Sequence, residues 1–188
     1  GVVSQINALC RDKLGEFCHW GATTQDITDT ATVLQIREGL DIIDGELAAI
    51  SNAMASLAKR YRDTPMIGRS NLQQAVPITF GYKIAGLLSA VERHRQRLAE
   101  IRPRILVGEF AGASGTLASL PTGGLETQAG LMQELGLGQP DIAWHTIRDN
   151  IAEVGCFLGL VTSTLGKFSM DLKLMMQTEV GEVYEPFA

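Results

Sequence analysis

Three short polar clusters carry the side chains of this sequence that suit chemistry on a charged substrate. The first is Gly21-Ala22-Thr23-Thr24-Gln25-Asp26. Hydroxyls, an amide and the free N–H groups of a helix start together make a carboxylate site. The same residues also read as a plain N-cap, a position that Thr and Asp favour. The second is Gly68-Arg69-Ser70-Asn71-Leu72-Gln73-Gln74. It packs a guanidinium, a hydroxyl and amides into a segment between helices. An Arg fork matches a carboxylate in two parallel hydrogen bonds; a surface loop with a solvated Arg is the plain alternative. The third is Trp144-His145-Thr146-Ile147-Arg148-Asp149. A His at a helix start can give or take a proton near neutral pH. Equally, His145 reads as a cap packed on Trp144, and Arg148 with Asp149 as an ion pair. Of the other two histidines, His94 sits in the charged run Glu92-Arg93-His94-Arg95-Gln96-Arg97 and is expected to be solvated, while His19 is expected to pack.

Other kinds of site have no signature here. The histidines lie far apart, with no second ligand three or four residues away, so no metal is expected. No phosphate-binding glycine loop, dinucleotide fingerprint or G-x-S-x-G elbow occurs.

Three long helical stretches must position the clusters. The first is expected over 26–62, with apolar residues at Ile27, Ala31, Leu34, Leu40, Ile43, Leu47, Ile50, Met54 and Leu57, steps close to three and four. Thr24 or Asp26 caps it, and Asp63-Thr64-Pro65 ends it. The second is expected to open near Pro77 and to end or kink at Pro103. A glycine-rich loop follows over 108–124, then a short helix over 125–135. The third long helix is expected over 146–180. It is poor in charge on every face between Gly155 and Lys173. A helix apolar nearly all round must be buried on several sides, and one chain of this size has too few helices to cover it. An oligomeric bundle is therefore expected. No alternating strand pattern stands out, so the expected class is all-α, with three helices longer than seven turns.

The 188 residues suit one domain or slightly more. The net charge of −5 argues against a nucleic-acid partner. No run approaches the roughly 18 consecutive apolar residues of a membrane span, so no membrane partner is expected. Three scattered cysteines, Cys10, Cys18 and Cys156, point to reduced thiols and a cytoplasmic location. Because the chain starts at Gly1 without a Met and stops in an apolar run, it is expected to be a piece of a longer protein.

Taken together, the clusters resemble the fumarase/aspartase (fumarate lyase) superfamily. His19-Trp20-Gly21-Ala22-Thr23-Thr24-Gln25-Asp26-Ile27-Thr28-Asp29-Thr30-Ala31 resembles its first signature region, in a form closest to the 3-carboxy-cis,cis-muconate cycloisomerase branch. Residues 68–81 resemble the second region. Gly112 to Leu120, Trp144-His145-Thr146 with Arg148-Asp149, and Gln177-Thr178-Glu179-Val180-Gly181-Glu182 extend the similarity to the end.

The resemblance implies an all-α homotetramer built on a long central helical bundle, with each active site shared among three subunits. Residues 1–20 would be the tail of an N-terminal helical domain and 21–188 an incomplete central domain. It implies a small polycarboxylate substrate, a dianionic aci-carboxylate intermediate, and no cofactor. Thr23, Thr24, Gln25, Arg69, Ser70, Asn71, Gln73 and Arg148 would bind substrate, and His145 would be catalytic. Developing carboxylate charge needs placed cations and N–H donors, which these residues supply.

Two departures qualify the resemblance. Asn71 stands where the second region often has a catalytic His, and an amide is no general acid; this argues against a typical adenylosuccinate lyase. The family's flexible Gly-Ser-Ser loop, which carries the base, normally follows a segment like Glu185-Pro186-Phe187, where this chain stops. Three readings stay open: a cycloisomerase closing a lactone, a C–N lyase releasing fumarate, and a catalytically silent helical scaffold of the same fold.

Overall fold

The computed structural model describes residues 1–186; Phe187 and Ala188, the end of the expected central domain, lie outside the described residues. In chain order the elements are α1 (Val2–Leu9), a short 3-10 turn (Leu14–Phe17), α2 (Thr24–Arg60), β1 (Pro65–Ser70), β2 (Gln73–Thr79), α3 (Phe80–Ile105), α4 (Gly124–Leu135) and α5 (Asp149–Met175). Helices dominate, and α2, α3 and α5, at 37, 26 and 27 residues, each exceed seven turns as expected.

The chain forms two compact units. The first comprises Gly1–Gly39 and Ile101–Ala152, the second Leu40–Glu100 and Glu153–Ala188. In the second unit the buried residues repeat at bundle spacing: Leu40, Leu47 and Met54 on α2; Ile84, Leu87, Val91 and Leu98 on α3; Val154, Phe157 and Val161 on α5. Steps of three, four and seven keep one face of each helix turned to its neighbours. Polar ties cross the same unit: Ser51 Oγ donates to Glu92, and His94 Nε2 meets Thr164 Oγ1 at 2.8 Å.

His94 is only 5% exposed, against the expectation that its charged neighbours put it in water. It occupies the inward seat between Val91 and Leu98, so helical phase outweighs the composition of the run. His19 is exposed with φ of 68°, rather than packed.

The first unit is clamped by backbone acceptors. Arg37 Nη1 donates to Leu135 O at 2.7 Å, capping the end of α4. Thr30 Oγ1 donates to Glu109 O and accepts Glu109 N–H, both at 2.9 Å. Val33, Ile105 and Met132 are fully or almost fully buried.

Three expected boundaries move. Pro77 lies in strand β2, opposite Ile67, rather than opening α3. Pro103 sits inside the last turn of α3 without ending it. Helix α5 begins at Asp149, so His145 and Thr146 precede it. The hairpin itself was not expected. Its strands pair antiparallel from Pro65↔Thr79 to Ser70↔Gln73, with a register shift between Ile67 and Arg69. Gly68 permits that shift: a Cβ there would lie 2.8 Å from Val76 O. Asn71 and Leu72 form the two-residue turn, at φ of 50° and 60°.

Helix α5 is long and apolar enough, by length and composition alone, to cross a membrane, and only 17% of that window is buried within the chain. Leu160 and Met170 are about half exposed, whereas Val161 is buried in the chain's own second unit.

Candidate active site

The first unit gathers its chemistry around the start of α2. Thr23 precedes the helix, and its backbone N–H donates to Asp26 Oδ2 at 2.8 Å, the return half of a capping box. Asp26 thus caps the helix from its third position. It does more than cap: Oδ1 accepts Ala111 N–H and Oδ2 accepts Gly112 N–H, which fastens the glycine-rich loop to α2. His145 Nε2 lies 2.7 Å from Asp26 Oδ1 and 4.0 Å from Glu109 Oε1.

Asp29, one turn along, grips Arg148 through two bonds of 2.6 and 3.0 Å. Burial pushes the Asp29 carboxyl up, but hydrogen bonds from Arg148 and Gln25 outweigh it and hold the group below the ordinary carboxylate value. Gln25 Nε2 also donates to His145 O at 2.8 Å. The Arg148 guanidinium sits 5.1 Å from the Trp144 ring centre. Arg148 therefore pairs with Asp29 rather than with its neighbour Asp149. Burial raises the Glu109 carboxyl above its ordinary value, against the Trp144 N–H and His145 beside it.

A cavity of about 430 Å³ opens beside these residues, lined by Thr23, Gln25, Ser114, His145 and Thr146 among others. Thr24, the first helical residue, is exposed and does not line it. Asp26, Glu109 and His145 offer ligand atoms within 4.8 Å of one another, a spacing a metal ion could use. Sequence spacing missed this group because its members come from three distant segments. The sign pointing to Asp26 was its place in the first cluster; nothing in the sequence singled out Glu109.

The second unit holds the other cluster. Arg69 donates from both terminal nitrogens to Glu182, at 2.7 and 2.8 Å. A cavity of about 550 Å³ is lined by Arg69, Asn71, Gln74, Lys83, Lys167 and Asp171, with apolar residues of α5. Lys83 and Lys167 both pair with Asp171. Ser70 and Gln73 face each other at the hairpin tip and are exposed. The expected site residues thus fall into two groups: Thr23, Thr24, Gln25, His145 and Arg148 in one unit, Arg69, Ser70, Asn71 and Gln73 in the other.

A family model described as "Lyase" matches residues 2–188. Trans-aconitate decarboxylase 1 of Mycosarcoma maydis is 55% identical over 187 residues, covering 100% of this chain and 38% of the relative. The 3-carboxy-cis,cis-muconate cycloisomerase of Pseudomonas aeruginosa is 51% identical over 170 residues, covering 90% of this chain and 37% of the relative. The crystal structure of a fumarate lyase from Mesorhizobium sp. BNC1 superposes with a TM-score of 0.94 at 57% identity, over 98% of this chain and 44% of that one. The chain spans roughly two fifths of the length of these relatives. Matched across its length by the family model and by proteins of this kind, the chain belongs to the fumarate lyase superfamily.

Proposed function

We propose that the complete protein is an enzyme acting on a small unsaturated polycarboxylate, most closely a lactonizing cycloisomerase of the 3-carboxy-cis,cis-muconate type. The observation that carries the reading is the first-unit cavity, where His145 stands among the hydroxyls and amide of Thr23, Ser114, Thr146 and Gln25. The names of two relatives support this substrate class, since trans-aconitate and 3-carboxymuconate are both unsaturated tricarboxylates.

In the elimination direction a base takes the proton from the carbon beside a carboxylate. The electron pair moves into that carboxylate as the aci form, and a group on the next carbon departs. Lactone closure is the reverse addition, with the substrate's own carboxylate as nucleophile. The base is the serine of the family's flexible loop, which this chain does not contain. In elimination His145 gives the second proton to the departing group, and in addition it takes one from an entering neutral group such as an amine. The carboxylate of lactone closure enters ionised and carries none, so there the protonated ring pairs with its charge. Thr23, Thr24, Gln25, Arg69, Ser70, Asn71, Gln73 and Arg148 bind carboxylates, in sites shared among the subunits of a homotetramer. The exposed apolar residues of α5 support that assembly; a stable monomer of the complete protein in light scattering would end it. Residues 1–20 belong to an N-terminal domain and 21–188 to the central one. The protein works in the cytoplasm with no cofactor.

The 55% identity to a decarboxylase favours a second reading, loss of carbon dioxide from an aconitate-like acid. A C–N lyase releasing fumarate is the third. An ultraviolet assay of the complete protein decides, with 3-carboxy-cis,cis-muconate, trans-aconitate, adenylosuccinate and aminopolycarboxylates offered in turn. Turnover of the muconate is expected. Turnover of only one of the others moves the assignment to its reaction, and no turnover of any leaves a silent scaffold.

A further inference from the structure

One polar atom of the first unit is left over by the fold. Glu109 is 1% exposed. Its Oε2 accepts the Trp144 backbone N–H at 2.7 Å, yet its Oε1 has no hydrogen-bond partner. A buried oxygen without a partner is costly and needs a reason. Oε1 lies 4.0 Å from His145 Nε2, the nitrogen that also meets Asp26 Oδ1. The backbone N–H groups of Thr23, Ala111 and Gly112 all donate to Asp26. Its carboxylate is therefore the acceptor, and Nε2–H the donor. In a neutral ring that leaves the lone pair on Nδ1.

We propose that Asp26 and Glu109 are positioning residues for His145: they hold the ring through Nε2, decide which nitrogen meets the substrate, and hold the imidazolium formed when Nδ1 is protonated. This rests on the reading of His145 as a proton-transfer group. In elimination the Nδ1–H proton passes to the departing oxygen or nitrogen as its bond to carbon breaks. The electron pair of that bond leaves with the group, and a neutral ring protonated on Nε2 remains. Addition of a neutral nucleophile runs the transfer backwards, whereas a carboxylate enters ionised and has no proton to return. Neither carboxylate exchanges a proton with the substrate. Asp29 and Arg148, bound to each other, complete the charged groups around the ring. Burial raises the Glu109 carboxyl, and the Trp144 N–H and His145 beside it oppose that rise.

Histidine-selective ¹⁵N labelling of the complete protein reads the tautomer directly, at a pH where the rings are neutral. The His145 signal is the one absent from His145→Asn. A proton on Nε2 and a bare Nδ1 are expected. Asp26→Asn offers an amide N–H to Nε2; the proton should move to Nδ1 and kcat should fall about 100-fold or more, as for other misoriented acid–base groups. Glu109→Gln should keep the tautomer and lower kcat about tenfold with KM little changed. A wild-type ring protonated on Nδ1, an unchanged tautomer in Asp26→Asn, undiminished kcat in Glu109→Gln, or a stoichiometric metal ion in the purified protein would each overturn the proposal. If Asp26→Asn does not fold, the wild-type tautomer and Glu109→Gln still decide. The expected tautomer in a protein whose His145→Asn variant is fully active overturns the catalytic reading and this proposal with it. The wrong tautomer beside an inactive His145→Asn overturns the proposal alone.

Discussion

Arg69 holds Glu182 through two hydrogen bonds of 2.7 and 2.8 Å, joining the hairpin to the segment after α5. The fork assigned to a substrate carboxylate already grips a carboxylate of the same chain. Both side chains keep about a quarter of their surface in solvent, so an incoming anion can compete. Arg69→Ala should lower kcat/KM about 10- to 100-fold, since charge-assisted hydrogen bonds are worth roughly 1.5–3 kcal/mol each. Glu182→Gln should retain activity and lower KM, because the internal competitor loses its charge. Kinetics like the wild type in Arg69→Ala would remove that residue from the site. Equal losses of activity in both variants would make the pair a strut for the hairpin.

Leu72 offers a test of the same hairpin. Its φ of 60° puts a side chain with a Cβ in the left-handed region, and the residue is 79% exposed. Leu72→Gly removes strain of about 1 kcal/mol and forfeits little packing. Thermal unfolding should shift upward by roughly 2–4 °C for a chain of this size. A downward shift would mean that Leu72 is covered in the assembled protein.

The buried His94 predicts a pH response. Burial lowers its pKa, and Arg97 and Arg93 on the same helix lower it further. The unfolded chain, with a His near 6.5, then binds the proton more readily than the folded one. The contribution to stability is present above about pH 6.5 and is lost as pH falls from there toward the lowered folded value. His94→Gln, which can keep the bond to Thr164, should flatten the dependence of unfolding temperature on pH between about 5 and 7. An unchanged slope would show that other groups set it.

How much of this was legible in the sequence differs by element. The apolar steps of three and four placed α2, α3 and α5, because helical phase is a local signal and dominates over long stretches. The same phase would have put His94 inward, in register with Val91 and Leu98, had the charged run not outweighed it. The hairpin was hidden: its strands show no alternation, both edges are exposed, and its turn carries Asn-Leu instead of Asn-Gly. In the site, cluster residues such as Thr23, Gln25 and His145 were visible by type. Glu109 was not, since its role exists only once residues 30, 109 and 144 are brought together. Asp29 stands out in the sequence only as part of a motif, and its grip on Arg148 closes a gap of more than a hundred residues.

His145 carries the last prediction. With Nε2 bound to Asp26 and Gln25 holding its carbonyl, the ring is fixed from two sides. Both a catalytic and a structural role therefore predict that replacement matters, and the two separate by what changes. Asn at this position retains one amide that can still donate to Asp26, so the cap, the loop contacts of Ala111 and Gly112 and the Arg148–Asp29 pair persist. If the imidazole moves a proton, His145→Asn loses kcat by about 10²-fold or more while the unfolding temperature changes little, the usual size of a general acid–base contribution. The loss should be deepest for the substrate with the poorest leaving group, because that group most needs the proton. If the unfolding temperature falls and kcat of the remaining folded protein does not, His145 is a packing residue between Asp26 and Trp144. Its catalytic assignment then fails.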